Sequence, residues 1–300
     1  MRLAPDLSRA RVQRLVGEGH VLVEGRPAKA SARLRGGERL DLILPPPPPS
    51  GLVAQDLPLT VLHEDRDLLV LDKAPGMVVH PARGAPSGTV VNALLHRLGS
   101  ASPGGARPGL VHRLDKETSG CLVVAKREAA LTALQAAFKA RTVEKTYLAL
   151  CHGVPAATGR LDTPYGRHPH DRTRYTSRGQ ALRRAITGWT VLERFGERAA
   201  LLAVALETGR THQIRVHLSD AGHPLLADAT YGGRRREARL PEDDPVRRAA
   251  GAVGRQALHA WRLAFAHPRT GRRLQVEAPV PADLERALEV LREAFAGPRR

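Results

Sequence analysis

Cysteine, aromatic residues and acidic charge are all scarce in this chain of 300 residues, and each scarcity closes off a class of protein. Cys121 and Cys151 are the only two cysteines and form no C-x-x-C pair. This excludes a disulfide scaffold and a zinc ribbon, and it fits a reducing cytoplasm. Phe, Trp and Tyr together make up 3% of the chain. That is too few for a broad base-stacking platform, so any stacking must rest on one or two placed rings. No unbroken apolar run exceeds eight residues, far short of the roughly 20 that a membrane span needs. The opening stretch MRLAPDLSRARVQRL has no continuous apolar segment and does not read as a secretory signal. Neither a Walker A string nor a G-x-G-x-x-G string occurs, so nucleotide triphosphates and dinucleotides have no visible cradle.

What is present is basic. Lys and Arg total 47 against 30 Asp and Glu, a formal charge of +17. A GC-rich genome accounts for the preference for Arg over Lys, but not for the excess of base over acid. Such a surplus attracts polyanions at long range. Nucleic acid is the first partner to expect and an anionic membrane surface the second. The apolar share of 42% is ordinary for a globular protein. A chain of this length buries about 75% of its unfolded surface, enough for one large domain, or a large one with a small companion.

The composition breaks at Pro45–Pro49, a stiff polyproline rod between two differently patterned segments. Before it, Ser8 can cap a helix running through Arg9, Val12, Leu15 and Val16, which Gly19 ends. Val21 and Val23 alternate as a strand, Glu24-Gly25 and Gly36-Gly37 are turns, and ERLDLIL is a second strand. After the rod, 68–73, 121–126, 146–153, 199–208 and 214–218 read as strands. Residues 88–98, 127–141 and 281–296 read as helices. The last has Leu284, Leu288, Leu291 and Phe295 on one face, Pro281 at its start and Gly297-Pro298 past its end. Residues 233–254 show no clean period and read as a mobile insertion loop. Strands and helices do not alternate regularly, so an α+β domain with a mixed, largely antiparallel sheet is expected rather than a doubly wound one.

Three stretches carry candidate chemistry. In GLVHRLDKETSGCLVVAK (109–126), Asp115 sits among cations on a turn that feeds a buried strand. This is a good position for a nucleophile or base, although an H-R-L-D string taken alone more often marks a surface ion pair. In LETGRTHQIRVHL (206–218), Gly209 suggests a turn into a strand carrying Arg210, His212, Arg215 and His217. His212, His217 and His223 fit no zinc spacing, and Arg215 suits a buried carboxylate. In EKTYLALCHG (144–153), Tyr147 lies on a strand, either in the core or facing a substrate base.

The string HRLDKETSG resembles the catalytic motif of the RluA/RluD-type RNA pseudouridine synthases. LLVLDKAPGMVVHP (68–81), GTVVNALLHR (88–97), KTYLALCHG (145–153), LETGRTHQIRVHL (206–218), GHPLLADATYG (222–232) and RQALHAWRLAFAHP (255–268) resemble further blocks of that family, in family order. The segment SRARVQRLVGEGHVLVEGRPAKASARLRGGERLDLIL resembles an S4 RNA-binding domain. Ala74, Met77, Glu117 and Cys121 depart from the usual Pro, Leu, Asp and Leu at positions of packing or surface. Seven residues precede Ser8 where the family has a longer first helix, so this helix is expected either to be short or to begin upstream.

The resemblance implies a pseudouridine synthase fold at 59–300, joined by a Pro-rich linker at 45–58 to a small αL-like S4 domain at 1–44. It implies that Asp115 is the catalytic aspartate, that Arg215 pairs with it, that Tyr147 packs against the target uracil, and that Arg113 fills the space left by a flipped uridine. Arg9, Arg11, Arg14, Lys29 and Arg33 are expected to meet RNA phosphates. The expected reaction converts uridine to pseudouridine in RNA, by family analogy that of the large ribosomal subunit, in the cytoplasm and by a monomer. It breaks N1–C1′ and forms C5–C1′, so its atom balance requires no cofactor or metal. The base must leave its stack to react. Asp115 then serves either as nucleophile, at C1′ or C6, or as the base that takes a ribose proton. The rival is a non-catalytic RNA-binding or ribosome-assembly protein on the same fold, for which Asp115 and Arg215 have no use.

Overall fold

The computed structural model describes residues 13, 15–29, 31–32, 34, 36–43, 52–82, 84–99, 103, 108–171, 173–178 and 183–296. The chain divides into two compact units, Met1–Gly51 and Leu52–Arg300. In the smaller unit, residues 15–17 are helical with Leu15 buried. The turn closes with the His20 N–H donating to the Leu15 carbonyl at 2.8 Å. Strands β1 (Val21–Val23), β2 (Arg26–Pro27) and β3 (Leu40–Leu42) form an antiparallel sheet in the order β2-β1-β3. Glu24 and Gly25 turn the β1–β2 hairpin with φ of 50° and 73°. That is the left-handed pair a two-residue hairpin requires.

The larger unit is built on ten strands. They are β4 (Thr60–Glu64), β5 (Leu68–Lys73), β6 (Ser119–Ala125), β7 (Glu144–His152), β8 (Thr158–Arg167), β9 (Tyr175–Thr176), β10 (Arg183–Phe195), β11 (Ala199–Leu206), β12 (Leu258–Ala266) and β13 (Arg273–Glu277). Their order is β4-β5-β6-β12-β7-β11-β10-β8-β9, with β13 beside β12. Every pairing is antiparallel except β6 with β12. The helices are α1 (Val90–Leu98), α2 (Glu128–Ala140), α3 (Gln213–Asp220), α4 (Gly233–Glu237), α5 (Pro245–Val253) and α6 (Ala282–Phe295). No described helix is long and apolar enough to cross a membrane.

The central strands are covered on both faces, which is why β5, β6 and β7 read as near-continuous apolar runs. Along β7, Tyr147, Ala149 and Cys151 join a cluster with Val90 and Leu94 of α1 and Ile214 and Leu218 of α3. The intervening Leu148 and Leu150 join Val246 and Val253 of α5 and Leu284 and Leu288 of α6. This is the period-two alternation of a strand. A third cluster packs Leu68, Val70 and Val123 against Leu131 and Leu134 of α2.

Two expectations are corrected. Residues 214–218 are helix α3, not a strand. Ile214, Val216 and Leu218 alternate as a strand would, but Gln213, Arg215 and His217 between them are buried too. The alternation therefore separates no inside from outside, and tertiary packing decides. Residues 233–254 are not a loop but carry α4 and α5. Asp244 caps α5 by accepting from the Val246 and Arg247 amides at 2.9 and 3.4 Å. Pro245 opens the helix and Gly254 ends it left-handed. Its buried stripe of Val246, Ala249, Ala250 and Val253 has helical spacing, half of it made of alanine.

Candidate active site

Asp115 stands on the segment between Gly109 and β6, and glycines press both ends of that segment against strand backbone. A Cβ on Gly109 would lie 2.0 Å from the Ala125 carbonyl oxygen, and one on Gly120 would lie 2.3 Å from that of Ala260. Two buried cations hold the middle. The Lys73 ammonium donates to the carbonyls of Ala74, Met77 and Lys116 at 2.7, 2.9 and 3.0 Å. Burial lowers its pKa to about 8. From the other side Arg255 donates to the Glu117 carbonyl at 2.8 Å and to Ser119 Oγ at 3.1 Å. It is itself anchored on Asp283 of α6 at 2.7 and 3.0 Å.

Arg215 reaches this segment from α3. Its Nη1 donates to Asp115 Oδ2 at 3.1 Å. Its Nε and Nη2 grip Asp228 Oδ2 and Oδ1 at 2.7 and 2.9 Å. The Asp228 side chain is fully buried, whereas that of Asp115 is 18% exposed. Burial works against charge at both Arg215 and Asp228. Their mutual pairing outweighs it, raising the pKa of the arginine and lowering that of the aspartate. The Thr230 and Tyr231 amides also donate to Asp228, at 2.9 and 3.0 Å. The arginine is thereby locked by one aspartate while it presents its remaining nitrogen to the other.

Asp115, Arg113, Tyr147 and Arg215 all line one cleft, with Leu114, Thr118, Gly209 to Ile214 and Leu258 among its walls. Its empty space, counted out to the open mouth, is about 550 Å³. Tyr147 is 9% exposed, and burial raises its pKa, which keeps the phenol neutral. Arg113 is exposed at the rim. His212, at φ 60° ahead of α3, approaches Asp115 to 3.9 Å, and its Nδ1 lies 2.9 Å from the Tyr231 hydroxyl. Burial lowers its pKa, and the Asp115 charge opposes that shift.

Sequence reasoning missed Asp228, Lys73, Arg255 and the aromatic wall. The chain has four tyrosines. Besides Tyr147, Tyr165 and Tyr175 stack at 5.9 Å, and His212 sits edge-on between Tyr175 and Tyr231. Tyr231 also lies beneath the Arg215 guanidinium at 5.0 Å. Composition shows only that tyrosine is scarce, and the fold is what gathers the tyrosines here. The histidines of the same region take separate partners. His217 Nε2 meets Thr163 Oγ1 at 3.0 Å and His223 Nδ1 meets the His152 carbonyl at 3.0 Å. Of the expected phosphate contacts in the smaller unit, Lys29 is exposed. Arg9, Arg11, Arg14 and Arg33 lie outside the described residues.

Similarity to known proteins gives the class. The RNA pseudouridylate synthase family model matches residues 67–220, and the S4 domain model matches residues 2–40. A protein of Chloroflexus aurantiacus described as an uncharacterized RNA pseudouridine synthase is 47% identical over 290 residues, covering 96% of this chain and 87% of the relative. The ribosomal large subunit pseudouridine synthase D of Xanthomonas campestris is 43% identical over 296 residues, covering 98% and 88%. Among solved structures, human RNA pseudouridylate synthase domain containing 1 superposes with a TM-score of 0.59 at 27% identity, covering 80% of this chain and 95% of that one. The chain belongs to the RNA pseudouridylate synthase family. It is an isomerase acting on RNA, with an S4 domain at its amino-terminal end.

Proposed function

We propose that the chain isomerises uridines of large-subunit ribosomal RNA, with Asp115 as the catalytic residue and the target base flipped into the cleft. The observation that carries this is the Asp115–Arg215–Asp228 chain at the foot of the cleft, with Tyr147 in its wall. Relatives named for the ribosomal large subunit, in Xanthomonas campestris and Neisseria meningitidis, support the substrate class.

Isomerisation breaks N1–C1′, turns the base, and forms C5–C1′, after which the hydrogen at C5 leaves as a proton. A base inside a duplex presents neither C1′ nor C6 to a side chain, so extrusion precedes chemistry. Whether Asp115 attacks the nucleoside or removes a ribose proton, it must act as a carboxylate. Arg215, fixed by Asp228, aims the Asp115 side chain before substrate arrives, so little reorganisation is needed at the moment of reaction. Arg113 at the rim is placed to enter the space the uridine leaves, and the neutral Tyr147 ring to meet the uracil face.

RNA labelled with tritium at uracil C5 tests this, because bond formation at C5 must expel the label. Large-subunit ribosomal transcripts and unmodified large subunits are expected to release tritium, and transfer RNA is not. Asp115→Asn is expected to bring release to background while RNA binding persists. Turnover by that variant would remove the role given to Asp115.

A further inference from the structure

The cleft continues beyond Asp115. Arg113, Tyr147, Leu206, Gly209 and Arg210 line it and also line a second groove, which runs on past His112 and Phe138 to the carboxyl-terminal end of α2. Five cations stand along this groove: Arg113, Lys139, Arg141, Lys145 and Arg210. None of them pairs with a carboxylate among the described residues. The one acidic residue in the lining, Glu207, is engaged by Arg160 at 3.1 Å. Elsewhere on the molecule some exposed arginines sit in ion pairs, as Arg273 does with Glu144 and Arg292 with Glu193. The groove is therefore a run of like charge without internal compensation.

Two details show that this charge is held against local cost. Arg141 caps α2 at φ 62° and ψ 29°, a left-handed geometry that glycine adopts freely and that is unfavourable for any residue with a β-carbon. Lys145 is partly buried, its ammonium donating to the Val143 carbonyl at 3.1 Å and lying 5.8 Å from the Phe138 ring centre. Burial lowers its pKa, and the neighbouring Arg141 charge lowers it further. An anion in the groove would offset the cost of holding the Lys145 charge there. The floor adds no charge, because His112 stacks on Phe138 at 4.8 Å and burial brings its pKa down to about 3.

We propose that this groove holds the phosphate backbone of single-stranded RNA flanking the uridine in the cleft, with Lys139, Arg141 and Lys145 as its phosphate contacts. The proposal rests on the Asp115 assignment only for which end of the groove is the reacting end. A single strand fits the shape, since an open groove leading to a half-buried carboxylate admits a chain whose one extruded base enters the cleft. Phosphate contacts also account for the five cations of the lining.

The test is binding of a single-stranded oligouridylate to the full chain, by fluorescence anisotropy across a series of KCl concentrations. Lys139→Ala, Arg141→Gly and the double variant are compared with the parent and with Arg286→Ala, whose site on α6 lines neither hollow. Each groove substitution is expected to weaken binding and to flatten the slope of log affinity against log salt by about 0.7, the value for one single-strand phosphate contact. Arg141→Gly is expected to do so with an unchanged or higher Tm, since glycine suits that backbone, so lost binding there is not lost folding. An unchanged slope in the double variant, equal loss in Arg286→Ala, or no measurable binding by the parent overturns the groove. Tritium release is scored separately: a parent that turns over RNA beside groove variants that bind normally sinks this proposal and leaves the Asp115 assignment standing.

Discussion

At the scale of single residues, the centre of the site is an arginine whose two carboxylates have different surroundings. Asp228 is wholly buried and takes two nitrogens of Arg215. Asp115 is partly open and takes one. Removing the buried partner leaves a desolvated guanidinium with one remaining counter-charge, and breaking such a pair costs about 3–5 kcal/mol. Asp228→Asn is therefore expected to lower Tm and, below its unfolding transition, to lower kcat far more than it changes KM. Asp228 acts through Arg215 and does not line the cleft. A variant with parental kcat would show that Asp115 needs no such support. The sequence made Asp115 and Arg215 legible because each lies in a motif dense with polar residues. Asp228 lies in LLADATYG, where a lone aspartate among small residues resembles a turn former, and only burial reveals its charge partner.

At the scale of elements, the Asp115 segment is held by close approach of backbone more than by its own side chains. Gly120 has φ 107°, and an added Cβ would meet the Ala260 backbone at 2.3 to 2.8 Å. This is where β6 and β12 make the one parallel pairing of the sheet. Gly120→Ala is expected to destabilise by on the order of 3 kcal/mol or more, combining backbone strain with overpacking. It should also lose turnover at temperatures where the protein is still folded, as followed by thermal melting and tritium release. Elements buried on both faces, such as β5, β6 and β7, were readable as apolar runs, and α6 as a helical stripe. The long β8 and β10 were not. Their burial alternates between exposed and intermediate positions over much of their length, and residues such as Thr, Arg and Gly on a half-wet surface carry little hydrophobic signal. α3 was misread for the opposite reason, its polar residues being as buried as its apolar ones.

At the scale of the whole molecule, the net charge of +17 was the earliest pointer to a polyanion, and it is unevenly justified by the fold. Many arginines of the larger unit serve ion pairs, and five cations without a carboxylate partner among the described residues line the groove beside the cleft. In the smaller unit, the S4 match covers residues 2–40 and Lys29 is exposed. The four hydrophobic clusters of the described residues draw every member from residue 59 onward. The larger unit accordingly has a core of its own and should not depend on the smaller one to fold. Deleting residues 1–50 is expected to leave a cooperatively folded protein that still releases tritium at saturating RNA. Its affinity for structured ribosomal RNA should fall, and its salt slope should flatten by about 0.7 to 0.9 for each phosphate contact removed. Because affinity lost with the smaller unit is uniform binding made equally in ground and transition states, KM should rise while kcat holds. Loss of kcat with KM unchanged would instead place the smaller unit's contribution in the chemical step.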